Sequence, residues 1–334
     1  MKNTKRNFLI VIVIAFLVMV FSLKNDYKNI ITMFSNINLW WLLIAGFIII
    51  GYHLLESYFI YYYCKKQKKD YTFKQAFQVE QAGNFFTAIT PFASGGQFAQ
   101  VFVFQKQKIA TKHSASMLMM SFISWQTVLV TFGALVLLFN YSRMFATYSA
   151  LFNLVFIGFL LNSAVIVGLF LLSFSKRFHR FIFERVIPFL GKIKIIKDVE
   201  KKKESTKIWL RLFRDEFNTL LLHRDLMTRR VLIDIIKIIT LYSIPFFAAR
   251  ALNIDISFNQ LVEIIILTSF VYMIAAFVPS PGAAGGTEGT FVLLFGVLLG
   301  PATTSAMLLW RFITYYFPMF VSFFVFANIK EFND

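Results

Sequence analysis

The sequence predicts an all-α, polytopic membrane protein of about six full spans plus two broken re-entrant hairpins arranged as an inverted repeat. Three observations predict it. The composition is too apolar for a water-soluble core, apolar stretches of membrane-crossing length alternate with short basic loops, and two Pro/Gly breaks share one local pattern.

The composition comes first. Of 334 residues, 58% are apolar, 18% aromatic and only 15% charged, with 43 Phe, whereas soluble domains run near 45–50% apolar and about 25% charged. A formal charge of +17 would suit nucleic acid. The Lys and Arg residues instead lie in short runs between apolar stretches, where they would meet anionic lipid headgroups. No basic module carries a groove-reading or base-stacking signature, so no nucleic-acid partner is expected. A single cysteine, Cys64, excludes an intrachain disulfide and any CxxC site. The four histidines (His53, His113, His179, His223) are scattered without metal-ligand spacing, so neither a metal nor another cofactor is expected. No nucleophile and base converge, and no catalytic residue is assigned.

The spans come next. Stretches able to cross a hydrocarbon core, which needs about 20 helical residues, fall near 8–23, 39–63, 114–139, 149–174, 231–252 and 301–328. The first follows a basic start (Lys2, Lys5, Arg6) without a small-residue cleavage site and reads as an uncleaved helix. Lys and Arg counts set the sides. The N-terminus, 65–70, 105–112, 175–230 and the C-terminus carry 27 basic residues, against 3 in 24–38, 140–148 and 253–259. The first set is therefore expected in the cytoplasm, with both termini there, in a bacterial inner membrane. Segment 72–105 then leaves and returns on the cytoplasmic side, and 257–300 on the outer side.

The breaks complete the argument. The chain has two Gly-Gly pairs, Gly95-Gly96 and Gly285-Gly286, each with a proline four residues before its first glycine, Pro91 and Pro281. Each half reads as span, span, broken hairpin, span: 1–139 with hairpin 72–105, and 149–328 with hairpin 257–300 and the basic loop 175–230. Three full crossings per half make the second copy inverted, a recurrent transporter design in which two halves rock around one site. Backbone freed by Pro91, Gly95, Gly96, Pro279, Pro281, Gly285 and Gly286 is tolerated in lipid only where protein or a water-filled cavity supplies partners. Helix starts near Gly96 and Gly286 present free N–H groups suited to a phosphate or carboxylate.

Ionisable residues at membrane depth are functional candidates. Glu288 is expected to bind a cationic headgroup, carry a proton or cap its helix, and Arg311 to pair with Glu288 or clamp a phosphate. Asn84 and Gln97 flank the first break and serve either a headgroup or freed backbone groups. His53 and Glu56 share a helix face and read as a proton relay or as interfacial groups. Glu80 is a weaker candidate, and Asp234, Lys237 and Glu263 read as interfacial. In loop 175–230, Ile208, Trp209, Leu212, Phe213, Phe217 and Leu220 recur at helical spacing beside many basic residues. That pattern suggests an amphipathic helix on the anionic inner leaflet, or a dock for a cytosolic partner.

Gly83-Asn84, Thr90-Pro91-Phe92 and Ser94-Gly95-Gly96-Gln97, with Pro279-Ser280-Pro281-Gly282, Gly285-Gly286-Thr287-Glu288-Gly289, Arg311, Tyr315 and Pro318, carry a family likeness. They resemble the transmembrane flippase-like domain that precedes the synthase domain in bacterial lysyl-phosphatidylglycerol synthetases. The resemblance implies translocation of a phospholipid, such as an aminoacylated one linked to cationic-peptide resistance, with Asn84, Thr90, Ser94, Gln97, Glu288, Arg311 and Tyr315 as candidate headgroup contacts. A phosphatidylglycerol lysyltransferase activity, also found in the family, is not expected. The sequence ends at Asp334 and its longest polar stretch, 175–230, is too small and too basic for an acyltransferase. The alternative is a membrane subunit that scaffolds a separate lipid- or envelope-modifying enzyme.

Overall fold

A computed structural model describes residues 35–193, 196, 198–207, 210, 214, 223–275 and 278–329. The expected first span at 8–23 and the apolar positions Ile208, Trp209, Leu212, Phe213, Phe217 and Leu220 lie outside the described residues. Among the described residues the fold is all helical, without a strand. Six helices are long and apolar enough to cross a membrane: Leu39–Gln67, Thr111–Asn140, Phe152–Leu172, Arg224–Ala251, Phe258–Ala275 and Gly286–Ala327.

Helix α1 (Leu39–Gln67) starts where the Asn38 side chain accepts from Trp40 N at 3.1 Å and ends with Lys65 and Lys66 in its last turn. Those charges complement the negative end of the helix. A capping box of Thr72 and Gln75 starts α2 (Phe73–Ile89), which stops before Pro91. Proline lacks the N–H that would continue the helix and disfavours helical backbone in the preceding residue. Helix α3 (Gly95–Lys106) then runs back beside α2. Gly96 makes their close approach possible, since a Cβ there would overlap the Thr87 hydroxyl.

Helix α4 (Thr111–Phe174) keeps helical backbone throughout, yet it doubles back. Gln126 Nε2 donates to both Asn162 O (3.0 Å) and Asn162 Oδ1 (3.1 Å), positions that a straight helix would hold about 54 Å apart. The expected spans 114–139 and 149–174 are its two antiparallel arms. Short helices Lys176–Phe181 and Ile187–Lys192 follow. Then come α5 (Arg224–Ala251), α6 (Leu261–Ala275), α7 (Gly286–Leu299) and α8 (Thr303–Arg311), the last continued through a turn of π-helix, Phe312–Tyr316, into α9 (Phe317–Ala327). The chain reverses at Gly300, which has φ +52, and Pro301. The reversal brings Phe291 onto Trp310 with ring centroids 4.7 Å apart.

Two sets of contacts define the ends of the bundle. At one end Lys66 bonds Asp225 at 2.8 Å, and the Tyr71 hydroxyl donates to Gln107 Oε1 at 2.7 Å. The latter brings the loops before α2 and after α3 together. At the other end Asn38 N donates to Ala251 O at 2.7 Å, so α1 and α5 run antiparallel along most of their length. The main apolar core lies among α4 to α8, centred on Tyr242, Phe270, Phe291 and Trp310, and a second core joins α1 to α3 with the start of α4. Large apolar side chains such as Trp40, Phe47, Phe98, Phe139 and Phe324 point outward, as expected of a surface whose solvent is lipid.

Candidate functional site

The two breaks meet. Pro91 and Pro281 form an isolated antiparallel bridge, with no other such pairing among the described residues. Both tips also use the same unusual backbone: Phe92 and Ala93 in the first, and Gly282 and Ala283 in the second, have φ between +53 and +58. Side-chain residues pay for such conformations in steric strain. Both tips are tied down locally. Thr90 Oγ1 accepts from Gly95 N at 2.8 Å and donates to Phe86 O at 2.6 Å, while Ser94 Oγ donates to Pro91 O at 2.9 Å. In the second tip Ser280 Oγ donates to Ala284 O at 2.8 Å.

Charge enters at the second tip. Glu288 Oε2 accepts from Gly285 N at 2.7 Å, capping α7, and its Oε1 accepts from Arg311 Nε, also at 2.7 Å. Arg311 reaches further, donating from Nη2 to Gly282 O at 3.0 Å, with its guanidinium 4.3 Å from the Tyr315 ring centroid. The Tyr315 hydroxyl donates to Ala88 O of α2 at 3.0 Å, which joins the last helices to the first hairpin. Gly282 is required here by its positive φ and by space, because a Cβ would overlap the Tyr315 ring. Arg311 and Glu288 are the expected pair, and the carboxylate is at once ion partner and helix cap. Both are mostly buried, with 6% and 12% of their side chains exposed. The π-helical turn after Arg311 accompanies Pro318, whose ring nitrogen cannot donate to the preceding turn.

The other candidates divide. Ser94 and Gln97 are exposed beside the first tip, whereas Thr90 spends its hydroxyl on backbone. Asn84 Nδ2 donates to Ser322 Oγ at 2.8 Å, away from the tips. That contact opens a chain: Ser322 Oγ donates to Gln81 Oε1 at 2.6 Å, Gln81 Nε2 donates to Glu80 Oε2, and Glu80 Oε1 lies 2.7 Å from His53 Nδ1.

Two expectations are corrected. His53 and Glu56 share a helix but not a bond, since α2 packs against α1 on one side and draws His53 to Glu80 while α5 draws Glu56 away. Glu56 accepts from Arg230 Nη1 at 2.7 Å and from Lys237 Nζ. Asp234 and Lys237, read as interfacial, are buried between helices rather than turned outward. Asp234 is fully buried, held by Arg230 at 2.6 and 3.0 Å and by Ser124 Oγ at 2.6 Å. Lys237 stands over the rings of Tyr52 and Trp125 at 4.6 and 5.2 Å. Glu263 is half-buried in the first turn of α6. Sequence reasoning missed this quartet of Glu56, Arg230, Asp234 and Lys237, although Arg230, Asp234 and Lys237 recur at the i, i+4, i+7 spacing of one helix face. It also passed over Gln81 and Ser322, which carry no charge to mark them.

Comparison with known proteins adds a family. A family model described as lysylphosphatidylglycerol synthase TM region matches residues 8–322. No curated protein matches the chain.

Proposed function

Because the chain belongs to the lysylphosphatidylglycerol synthase TM-region family, we propose that this integral membrane protein is a flippase that moves a phospholipid, such as an aminoacylated one, between leaflets. The observation that carries the reading is the junction of the two breaks. Pro91 meets Pro281, and Arg311, Glu288 and Tyr315 tie the second tip to the last helices and, through Ala88 O, to the first hairpin. Contact between the tips and their shared backbone conformation support an inverted repeat of two hairpins. Arms α2 and α3, with 17 and 12 residues, reach about 26 and 18 Å, less than a hydrocarbon core of about 30 Å.

The chemistry of the junction suits a zwitterionic or lysylated headgroup. Arg311 offers a planar donor array that a lipid phosphate can take over from Glu288. The released Glu288 carboxylate is then free for an ammonium group. Ser94 and Gln97, exposed beside the first tip, supply uncharged contacts, while the acyl chains stay in lipid. Rocking of the halves around the tips alternates access. On this reading the basic end of the bundle faces the cytoplasm of a bacterial cell. The short helices after α4 rest on its anionic leaflet, with exposed Phe181 and Phe189 beside Arg185 and Lys192.

Reconstitution tests the proposal. Purified protein in liposomes with headgroup-labelled phosphatidylglycerol, phosphatidylethanolamine and lysyl-phosphatidylglycerol should move at least one of them, and Arg311→Gln or Glu288→Gln should reduce that flux about tenfold or more. A protein that moves none of the three supports instead a membrane subunit that holds a separate lipid-modifying enzyme.

A further inference from the structure

The His53–Glu80 pair lies outside the tip junction, and its environment differs from that of the other buried ions. Among the described residues, Glu80 has His53 as its only ion-pair partner, and no permanent cation bonds it. Its second oxygen accepts from Gln81, Gln81 accepts from Ser322, and Ser322 accepts from Asn84. Every donor in this relay points toward Glu80, so the chain is polarised to favour the carboxylate as an anion. It also links three elements, α1, α2 and α9. One of these is the arm that carries the first tip, and another continues the helix that carries Arg311.

The histidine end is open. With Nδ1 facing the carboxylate, the neutral imidazole donates its Nδ1–H to Glu80 and leaves Nε2 as a bare acceptor. His53 Nε2 is buried without a hydrogen-bond partner. About an eighth of the side chain stays exposed, 12%, so the ring lies just below the surface of the helix bundle. Charged and titratable groups on the surrounding elements are otherwise engaged. On α1, Tyr52 meets the His53 ring edge-on at 5.2 Å, and Glu56 is held by Arg230 and Lys237. On α5, Arg230 also binds Asp234, and Lys237 lies over Tyr52. Tyr315 and Tyr316 sit in the π-helical turn that packs on α1.

We infer that His53 and Glu80 form a proton-binding site whose occupancy couples lipid translocation to proton movement. The coupling half of this inference rests on the translocation reading. A proton from water adds to Nε2, no bond is broken elsewhere, and the pair passes from a net single negative charge to an imidazolium–carboxylate pair with no net charge. Drawn toward the imidazolium, Glu80 holds the Gln81–Ser322–Asn84 relay less strongly. The seam between α2 and α9, next to the tips, loosens. Loss of the proton tightens it again.

Two measurements on the whole protein test the site. Imidazole nitrogen NMR in nanodiscs, recorded from about pH 8 down to about pH 5, should show a proton added at His53 Nε2, with proton affinity reduced tenfold or more in Glu80→Gln and by a smaller factor in Ser322→Ala. In proteoliposomes with headgroup-labelled phosphatidylglycerol and lysyl-phosphatidylglycerol, an imposed pH gradient should change wild-type flux several-fold. Glu80→Gln and His53→Gln should keep a residual flux that no longer responds to the gradient. Flux that ignores the gradient in wild type overturns the coupling and leaves translocation intact. A protein that moves no lipid while His53 titrates in a Glu80-dependent way keeps the proton site and removes translocation. A His53 that takes up no proton across that range overturns the site itself.

Discussion

The quartet of Glu56, Arg230, Asp234 and Lys237 and the pair of Glu288 and Arg311 both set full charges among apolar helices, but they satisfy them differently. In the quartet two carboxylates meet two cations, every charged group bonds another, and Ser124 takes part of the remaining capacity. The pair instead puts two of its three hydrogen bonds on backbone at a helix break, on Gly285 N and Gly282 O. A closed, neutral network holds helices in one arrangement. A pair spliced into a break can exchange partners, because backbone and a charged guest compete for the same donors. On the translocation reading, this difference gives the first cluster a structural role and the second a role in ligand exchange.

The largest expected effect lies in the quartet. Asp234→Ala strips Arg230 of its bidentate partner and leaves a cation without sufficient compensation at a site only 2% exposed. Breaking a buried pair in this way costs about 3–5 kcal/mol. Thermal unfolding in detergent should show a large fall in midpoint and poor yield. Removing Glu56 and Lys237 together, as Glu56→Gln with Lys237→Gln, should cost less than the sum of the single changes, with a coupling of about 0.5–3 kcal/mol. Additive losses would show that the quartet does not act as one unit, and the contrast with the tip pair would fall.

Arg311→Gln sharpens the contrast from the other side. Glu288 keeps its bond from Gly285 N and some solvent contact, so the loss of stability should be about 1–3 kcal/mol, below that of Asp234→Ala. Flux should nonetheless fall about tenfold or more. If Arg311→Gln destabilises as severely as Asp234→Ala while the folded fraction transports normally, the pair is a structural bridge and the exchange argument is lost.

The unequal legibility of the two clusters has a physical cause. Pro91, Pro281 and the Gly-Gly pairs are local: each marks a helix end whatever surrounds it, so the breaks, the arms and the Glu288 cap could be read from neighbours in sequence. Arg311 was legible as a charge too deep in a span to reach water. The quartet depends on α1 crossing α5, a contact between residues 56 and 230 that local spacing does not encode. Asp234 and Lys237 stand near the basic end of their span, where composition allows either burial or an interface. His53 and Glu56 are neighbours on one helix face, and only the placement of α2 and α5 on different sides of α1 separates their partners. The fold-back inside α4 was legible as two apolar stretches, 114–139 and 149–174, although the backbone stays helical between them.

Gly282→Ala should have an intermediate effect. Its φ of +58 lies in the left-handed region, and a methyl group would press on the Tyr315 ring. Strain of about 1–3 kcal/mol is expected, together with displacement of Tyr315 from Arg311. Unfolding should show a modest loss and flux a several-fold loss. Normal flux in this variant would mean that the second tip tolerates rearrangement and that its close packing on Tyr315 is not needed for transport.

The smallest effect belongs to Tyr315→Phe. Phenylalanine keeps the ring beneath the Arg311 guanidinium and against Gly282, so cation–π attraction and packing persist. What goes is the single hydrogen bond to Ala88 O, 3.0 Å long, which leaves a carbonyl near the end of α2 without that donor. One such bond contributes about 0.5–1.5 kcal/mol, and with the packing on Gly282 and Arg311 kept, flux should fall by no more than about twofold, less than in Gly282→Ala. The sign for stability is the same as for Arg311→Gln and the size smaller. Suppose instead that Tyr315→Phe abolishes flux while unfolding is unchanged. The hydroxyl would then act on the headgroup rather than as a tether, and the exchange assigned to the ion pair would belong to the tyrosine that now bridges the two hairpins.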